Sequence, residues 1–207
     1  VKILFTKRME TLRTKMLNAK IDLALITDDD AVYYFTGYYD YLHMDFGRPT
    51  ILLVSVEKGS TLITPMMERH MAEAKAQVDN FSFWNDGNGS EWREIIPDAI
   101  RGTSFIGYEP NQIPPIVKNY IDTIVSDKTL IDVTSIVSEI RMIKSTEELE
   151  LARHAGQVAN AMMTAGRDAI GDGIKEYEVA LATSAAGTRK SAELLDKYYK
   201  GSIMSPN

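Results

Sequence analysis

The 207-residue chain contains no cysteine. That excludes a disulfide framework, a zinc–thiolate site, an iron–sulfur cluster and a cysteine nucleophile. Long apolar runs are also missing. The longest stretch without Asp, Glu, Lys or Arg is the 13 residues His154–Gly166, too short and too polar to span a bilayer. The first residues do not read as a charged-then-apolar leader with a small-residue cleavage site, and a cytoplasmic protein is the expectation. Basic charge is not in excess: 23 Lys and Arg stand against 29 Asp and Glu, a net charge of −6. That balance argues against nucleic acid and anionic membranes as partners. Histidine is scarce. His43, His70 and His154 form no H-x-x-x-H or H-E-x-x-H pattern, so metal-ligand spacing is absent. No phosphate loop of the G-x-x-x-x-G-K-[ST] kind occurs, and Gly87-Asn88-Gly89-Ser90 lacks the third glycine of a dinucleotide fingerprint. A helix start capped by Ser90 is the simpler expectation there.

What remains is ordinary globular composition, with 44% hydrophobic and 25% charged residues. At roughly 150 residues per domain this length predicts one to two domains. Up to about residue 142, short apolar runs alternate with helical spacing. Phe5, Met9, Leu12 and Met16 predict a first helix, and Asp22–Ile26 a buried strand. Thr50–Val56 and Thr61–Thr64 predict an antiparallel pair around Gly59. Helices at 66–77, 91–100 and 113–124 interleave with strands at 80–84, 104–107 and 130–131, which predicts α/β layers on a mixed sheet. The second part reads differently. Ser145 and Glu148 form a capping box, and the spacing of Leu149, Ala152, Ala155, Val158, Ala159, Met162 and Gly166 predicts one long helix. Gly171-Asp172-Gly173 ends it, and a second long helix is expected from about Lys175 to Tyr199. Two such helices need more apolar surface than the first part offers. The expectation is a domain followed by the opening of another, its apolar helix faces prone to self-association.

Three features carry candidate chemistry. Asp28-Asp29-Asp30 suits the free N–H groups of a helix start better than a metal. Five of the ten tyrosines fall between Tyr33 and Tyr41, where Gly37 ends a short helix and a loop follows. Such a loop makes a binding surface with little entropy to lose, or an aromatic cluster between sheet and helix. Phe46-Gly47-Arg48-Pro49 closes the loop. Pro49 holds Arg48 extended, which presents either a rigid guanidinium fork for a carboxylate or an ordinary strand-start arginine paired with a surface acid. Phe46 beside it could wall an apolar ligand face.

Taken in order, Val32-Tyr33-Tyr34-Phe35-Thr36-Gly37, Phe46-Gly47-Arg48-Pro49, Ile106-Gly107-Tyr108-Glu109, Ile140-Arg141-Met142-Ile143-Lys144-Ser145-Thr146-Glu147-Glu148 and Gly171-Asp172 with Glu176-Tyr177-Glu178-Val179-Ala180-Leu181 resemble the creatinase, prolidase and aminopeptidase P family. Within it the F-G-R-P and R-M-I-K-S segments are most similar to the creatinase branch. The resemblance implies a ribonuclease-H-like N-terminal domain over 1–142 and the first helices of a truncated pita-bread catalytic domain over 143–207. It implies hydrolysis of a C–N bond of a small substrate, creatine to sarcosine and urea in the creatinase branch, or metal-dependent Xaa-Pro peptide cleavage in the other branches. No catalytic residue and no metal ligand is expected in this chain. The parent would be metal-free if creatinase-like and hold two divalent metals if peptidase-like. The resemblance further implies a homodimer in which this domain closes over its partner's active site, with Phe46 and Arg48, and secondarily His43 and Tyr41, contacting a small-molecule substrate in trans. The loop before Phe46 is longer and more polar than the creatinase pattern, which leaves other carboxylate-bearing substrates open. A non-catalytic binding or dimerisation module is the reading from another class.

Overall fold

A computed structural model describes residues 2–39, 48–85, 87 and 89–199. It divides into two compact units, residues 1–143 and 144–207.

The first unit is a six-stranded mixed sheet between two helical layers. Its elements are α1 (Lys2–Asn18), β1 (Leu23–Ile26), α2 (Asp29–Thr36), β2 (Ile51–Ser55), β3 (Gly59–Pro65), α3 (Arg69–Lys75), β4 (Asn80–Trp84), α4 (Trp92–Ala99), β5 (Phe105–Tyr108), α5 (Pro115–Ile124), β6 (Thr129–Asp132) and α6 (Thr134–Met142). The strand order is β4-β3-β2-β1-β5-β6. β1–β2 and β2–β3 pair antiparallel, whereas β3–β4, β1–β5 and β5–β6 pair parallel. The antiparallel hairpin expected around Gly59 is therefore present.

Why β1 and β2 read as unbroken apolar runs follows from the layers. Successive side chains on a strand face opposite ways, so a strand covered on both faces is apolar at successive positions. Ala24 and Ile26, with Leu52 and Val54, enter one core with Leu12 and Met16 of α1, Phe35 of α2 and Val137 of α6. Leu23 and Leu25, with Ile51 and Leu53, enter the other core with Trp92 and Ile96 of α4 and Val117 and Ile121 of α5.

Helix α2 starts as expected: Asp28 Oδ2 accepts from the Ala31 N–H at 2.8 Å. It ends on Gly37, whose φ of 79° lies in the left-handed region and whose N–H donates to the Tyr33 carbonyl. An added Cβ at Gly37 would sit 2.7 Å from the Phe5 ring, so glycine is required there by conformation and by space. Three local expectations need correction. Helix α4 begins at Trp92 with no side-chain cap, and Ser90 does not cap it; the Ser90 N–H instead donates to the Glu91 carboxylate. The stretch expected as one helix over 66–77 is a single 3-10 turn, Met66–Glu68, followed by α3 ending at Lys75. Helix α6 was not expected, although Val133, Ile136, Val137 and Ile140 stand at helical spacing and all pack into the α1-side core.

Pro97 lies inside α4. It has no N–H to offer the Arg93 carbonyl one turn earlier. The Tyr120 hydroxyl of α5 donates to that carbonyl instead, at 2.6 Å, so the broken helix bond becomes a tie between the two helices of one layer.

The second unit is an antiparallel pair, α7 (Thr146–Ala169) and α8 (Glu176–Tyr198). The Ser145–Glu148 capping box is formed in both directions, at 3.2 and 2.8 Å. Glycines let the helices approach: Gly166 lies against Thr183 and Gly187 against Met162. His154 is buried, stacked on Tyr198 at 4.3 Å, with Nδ1 2.7 Å from the Tyr199 hydroxyl, which makes it a packing residue of the pair. Among the described residues no helix is long and apolar enough to cross a membrane.

Candidate functional site

The sheet brings chemistry to one edge. Strands β1, β5 and β6 are parallel neighbours, so their carboxyl ends lie side by side, with Leu25 opposite Tyr108 and Tyr108 opposite Asp132. Strand β2 runs the other way, so its beginning lies beside the end of β1, with Ile26 opposite Leu52. Arg48, Pro49 and Thr50 lead into β2 at this same edge. Ligands of open α/β sheets gather outside the carboxyl ends of the strands.

Arg48 is half-buried and Pro49 is buried behind it. Thr50 is anchored by a 2.9 Å hydroxyl–hydroxyl hydrogen bond to Thr64 of β3. The base of the arginine is thus fixed by a ring, a strand and a buried side-chain bond. Tyr41, His43 and Phe46 lie outside the described residues.

The tyrosines divide between the two readings the sequence left open. Tyr38 is fully buried and its hydroxyl donates to the buried carboxylate of Glu68 at 3.1 Å. Tyr34 donates to the Ile140 carbonyl at 3.1 Å, and the Arg8 guanidinium lies 3.9 Å over its ring. These two are parts of the fold. Tyr33 and Tyr39 are exposed and meet edge-on at 6.2 Å, which leaves them as surface aromatics.

A second group at this edge was not expected as a group from the sequence, in which Asp28 and Asp30 have only a place at a helix start. Asp28 follows β1, Glu109 follows β5 and Asp132 ends β6. Arg141 of α6 reaches Asp28 at 3.3 Å and Asp30 at 3.6 Å. Asp132 Oδ1 accepts from the Thr134 N–H at 2.8 Å. Glu109 is only 6% exposed, and its Oε2 is buried without a hydrogen-bond partner. Burial raises its pKa to about 7; the Asp28 and Asp132 charges add to the shift and Arg141 opposes it. Gly107 explains how this corner closes. A Cβ there would lie 2.5 Å from a Val133 methyl and 3.2 Å from Ile21, so the I-G-Y-E segment needs a residue without a side chain for the turn into α6 to pack. The readable signal was three strands of one sheet each followed closely by an acid.

Among the described residues no three His, Asp or Glu side chains are placed to hold a metal ion. His70 is exposed on α3 and His154 belongs to the other unit.

Comparison with known proteins agrees with this architecture. The sequence matches the Creatinase/Prolidase N-terminal domain family over residues 8–143. It is 26% identical to the creatinase of Bacillus sp. (strain B-0618) over 190 residues, which cover 90% of this chain and 45% of that protein. It is 27% identical to the Xaa-Pro dipeptidase of Pyrococcus furiosus over 174 residues, covering 84% of this chain and 46% of that one. The crystal structure of the prolidase from Pyrococcus horikoshii OT3 superposes with a TM-score of 0.75 at 22% identity, over 88% of this chain and 48% of that one. The chain therefore spans about half the length of these three relatives. With its six-stranded mixed sheet, its flanking helices and this match along about two thirds of its length, the chain belongs to the creatinase/prolidase N-terminal domain family.

Proposed function

We propose that this chain is the N-terminal portion of a creatinase-like hydrolase that cleaves a C–N bond of a small, carboxylate-bearing substrate. Residues 143–207 are the opening helices of its catalytic domain, and residues 1–142 supply substrate contacts to the partner subunit of a homodimer. The observation that carries this reading is the similarity to creatinase along 90% of the chain. The sheet-edge placement of Arg48 supports it. A guanidinium whose backbone is held by Pro49 and Thr50 loses little freedom on accepting a carboxylate with two parallel hydrogen bonds. By the family resemblance Phe46, two residues earlier, is the apolar wall, and His43 and Tyr41 are the further substrate contacts. For creatine the reaction adds water across the guanidino C–N bond and releases sarcosine and urea.

The similarity to an Xaa-Pro dipeptidase and the likeness to a prolidase structure favour a second reading, a metal-dependent peptidase acting on Xaa-Pro peptides. In that case Arg48 would hold the peptide's terminal carboxylate.

A turnover screen on the full-length gene product separates the readings. Creatine and an Xaa-Pro dipeptide are each offered with and without chelator. Chelator-resistant release of urea from creatine is the expected result. Chelator-sensitive cleavage of the dipeptide would overturn it in favour of the peptidase. Failure to turn over either, with a stable dimer in solution, would leave the chain as part of a binding module.

A further inference from the structure

Among the described residues, the acids grouped around Arg141 outnumber it. Asp28 accepts from the Ala31 N–H and from Arg141, Asp30 pairs with Arg141, and Asp132 is held by the Thr134 N–H. Arg141 is the cation that acts on Glu109, and Asp28 from the β1–α2 turn and Asp132 from β6 are the anions that do so. Glu109 itself is buried with Oε2 unpartnered. A buried carboxyl with no donor aimed at it is tolerated while neutral; a buried carboxylate is not. Arg141 is near the end of α6, and the preceding carbonyl, that of Ile140, is held by the Tyr34 hydroxyl.

We propose that Glu109 and Arg141 form a pH-sensitive catch on α6: while Glu109 is neutral, Arg141 stays paired with Asp28 and Asp30, and when Glu109 ionises it competes for the guanidinium and loosens the end of that helix. The direction follows from proton binding. An ordinary glutamate titrates near 4.5, and this one near 7 when folded. From about pH 4.5 upward the folded state keeps a proton that the unfolded chain has lost. The contribution of this group is therefore most favourable below that range, declines as pH rises towards 7 and is constant above it.

The test uses the 207-residue chain. Carboxyl-carbon NMR of Glu109 should show a midpoint near 7, and amide exchange in α6, corrected for intrinsic rates, should accelerate across the same range. In urea titrations the unfolding constant should rise by on the order of a hundredfold between pH 5 and pH 8 from this group. Glu109→Gln, which keeps the shape without the charge, should remove that part of the slope and hold α6 exchange at its low-pH value. A Glu109 midpoint near 4.5 would overturn the proposal. So would α6 exchange that ignores the titration, or a Glu109→Gln profile parallel to the unsubstituted chain. If Glu109→Gln does not fold, the midpoint and the exchange profile of the unsubstituted chain decide.

Discussion

The two units solve the problem of burying apolar surface in opposite ways. In the first, β1 and β2 are sealed between helical layers, and every residue of both strands is buried. Contacts there are between rigid partners: strand against strand, branched side chain against backbone. In the second, two helices lie against one another and much of their apolar surface stays open, Leu149, Leu151, Met163, Ile170 and Leu181 among it. Where their glycines meet the facing helix, the partners are a flexible methionine and a threonine hydroxyl. The lesson is that equal steric insults should have unequal consequences, because close-packed layers cannot shift and a two-helix seam can.

Gly107→Val should have the largest effect. Its Cβ would overlap Val133, itself held in the core, and overpacking of this kind costs roughly 2–3 kcal/mol. The urea midpoint of the first unit should fall accordingly, with the near-ultraviolet signal of its tryptophans as the probe. Tyr120→Phe comes next. It leaves the Arg93 carbonyl without the donor that replaces the missing Pro97 N–H, at a cost of about 1 kcal/mol. The smallest effect is expected for Gly187→Ala in the second unit. The new methyl would lie 2.7 Å from Met162 Cγ, nominally as severe a clash as that at Gly107. Yet methionine has three rotatable bonds, and alanine gains up to about 1 kcal/mol of helix propensity over glycine. The net change should stay within roughly 0.5 kcal/mol by thermal melting. A large loss there would erase the contrast between the units.

Much of this was legible in the sequence, for reasons that differ by element. The buried strands were readable because two-sided burial favours unbroken apolar runs, Leu-Ala-Leu-Ile in β1 and Ile-Leu-Leu-Val in β2; the buried Ser55 that closes β2 is satisfied by the Glu57 and Lys58 N–H groups, which donate to its hydroxyl. Helix α7 was readable because its capping box is a local motif with a local bond pattern. Helix α6 is hidden in the sequence because Thr134, Ile136 and Val137 are β-branched and lower the helix propensity of a segment whose apolar spacing is helical. The Ser90 cap failed because a serine before a helix is only a permitted cap, and Glu91 occupies the cap position here. The acid–Arg141 group escaped notice because its members are scattered over more than a hundred positions and meet only through the parallel pairing of three strands. Arg48 was a candidate because Pro49 fixes its backbone locally and its F-G-R-P segment resembles the family's; its position beside the end of β1 depends on the antiparallel pairing of β1 with β2.

The most direct test of the proposed function is steady-state kinetics of the full-length protein carrying Arg48→Lys. Lysine keeps the positive charge and removes the two-pronged fork. KM for the carboxylate-bearing substrate should rise on the order of tenfold, equivalent to about 1.4 kcal/mol, with kcat little changed and the circular dichroism spectrum intact. An unchanged KM would show that Arg48 does not hold the substrate's carboxylate.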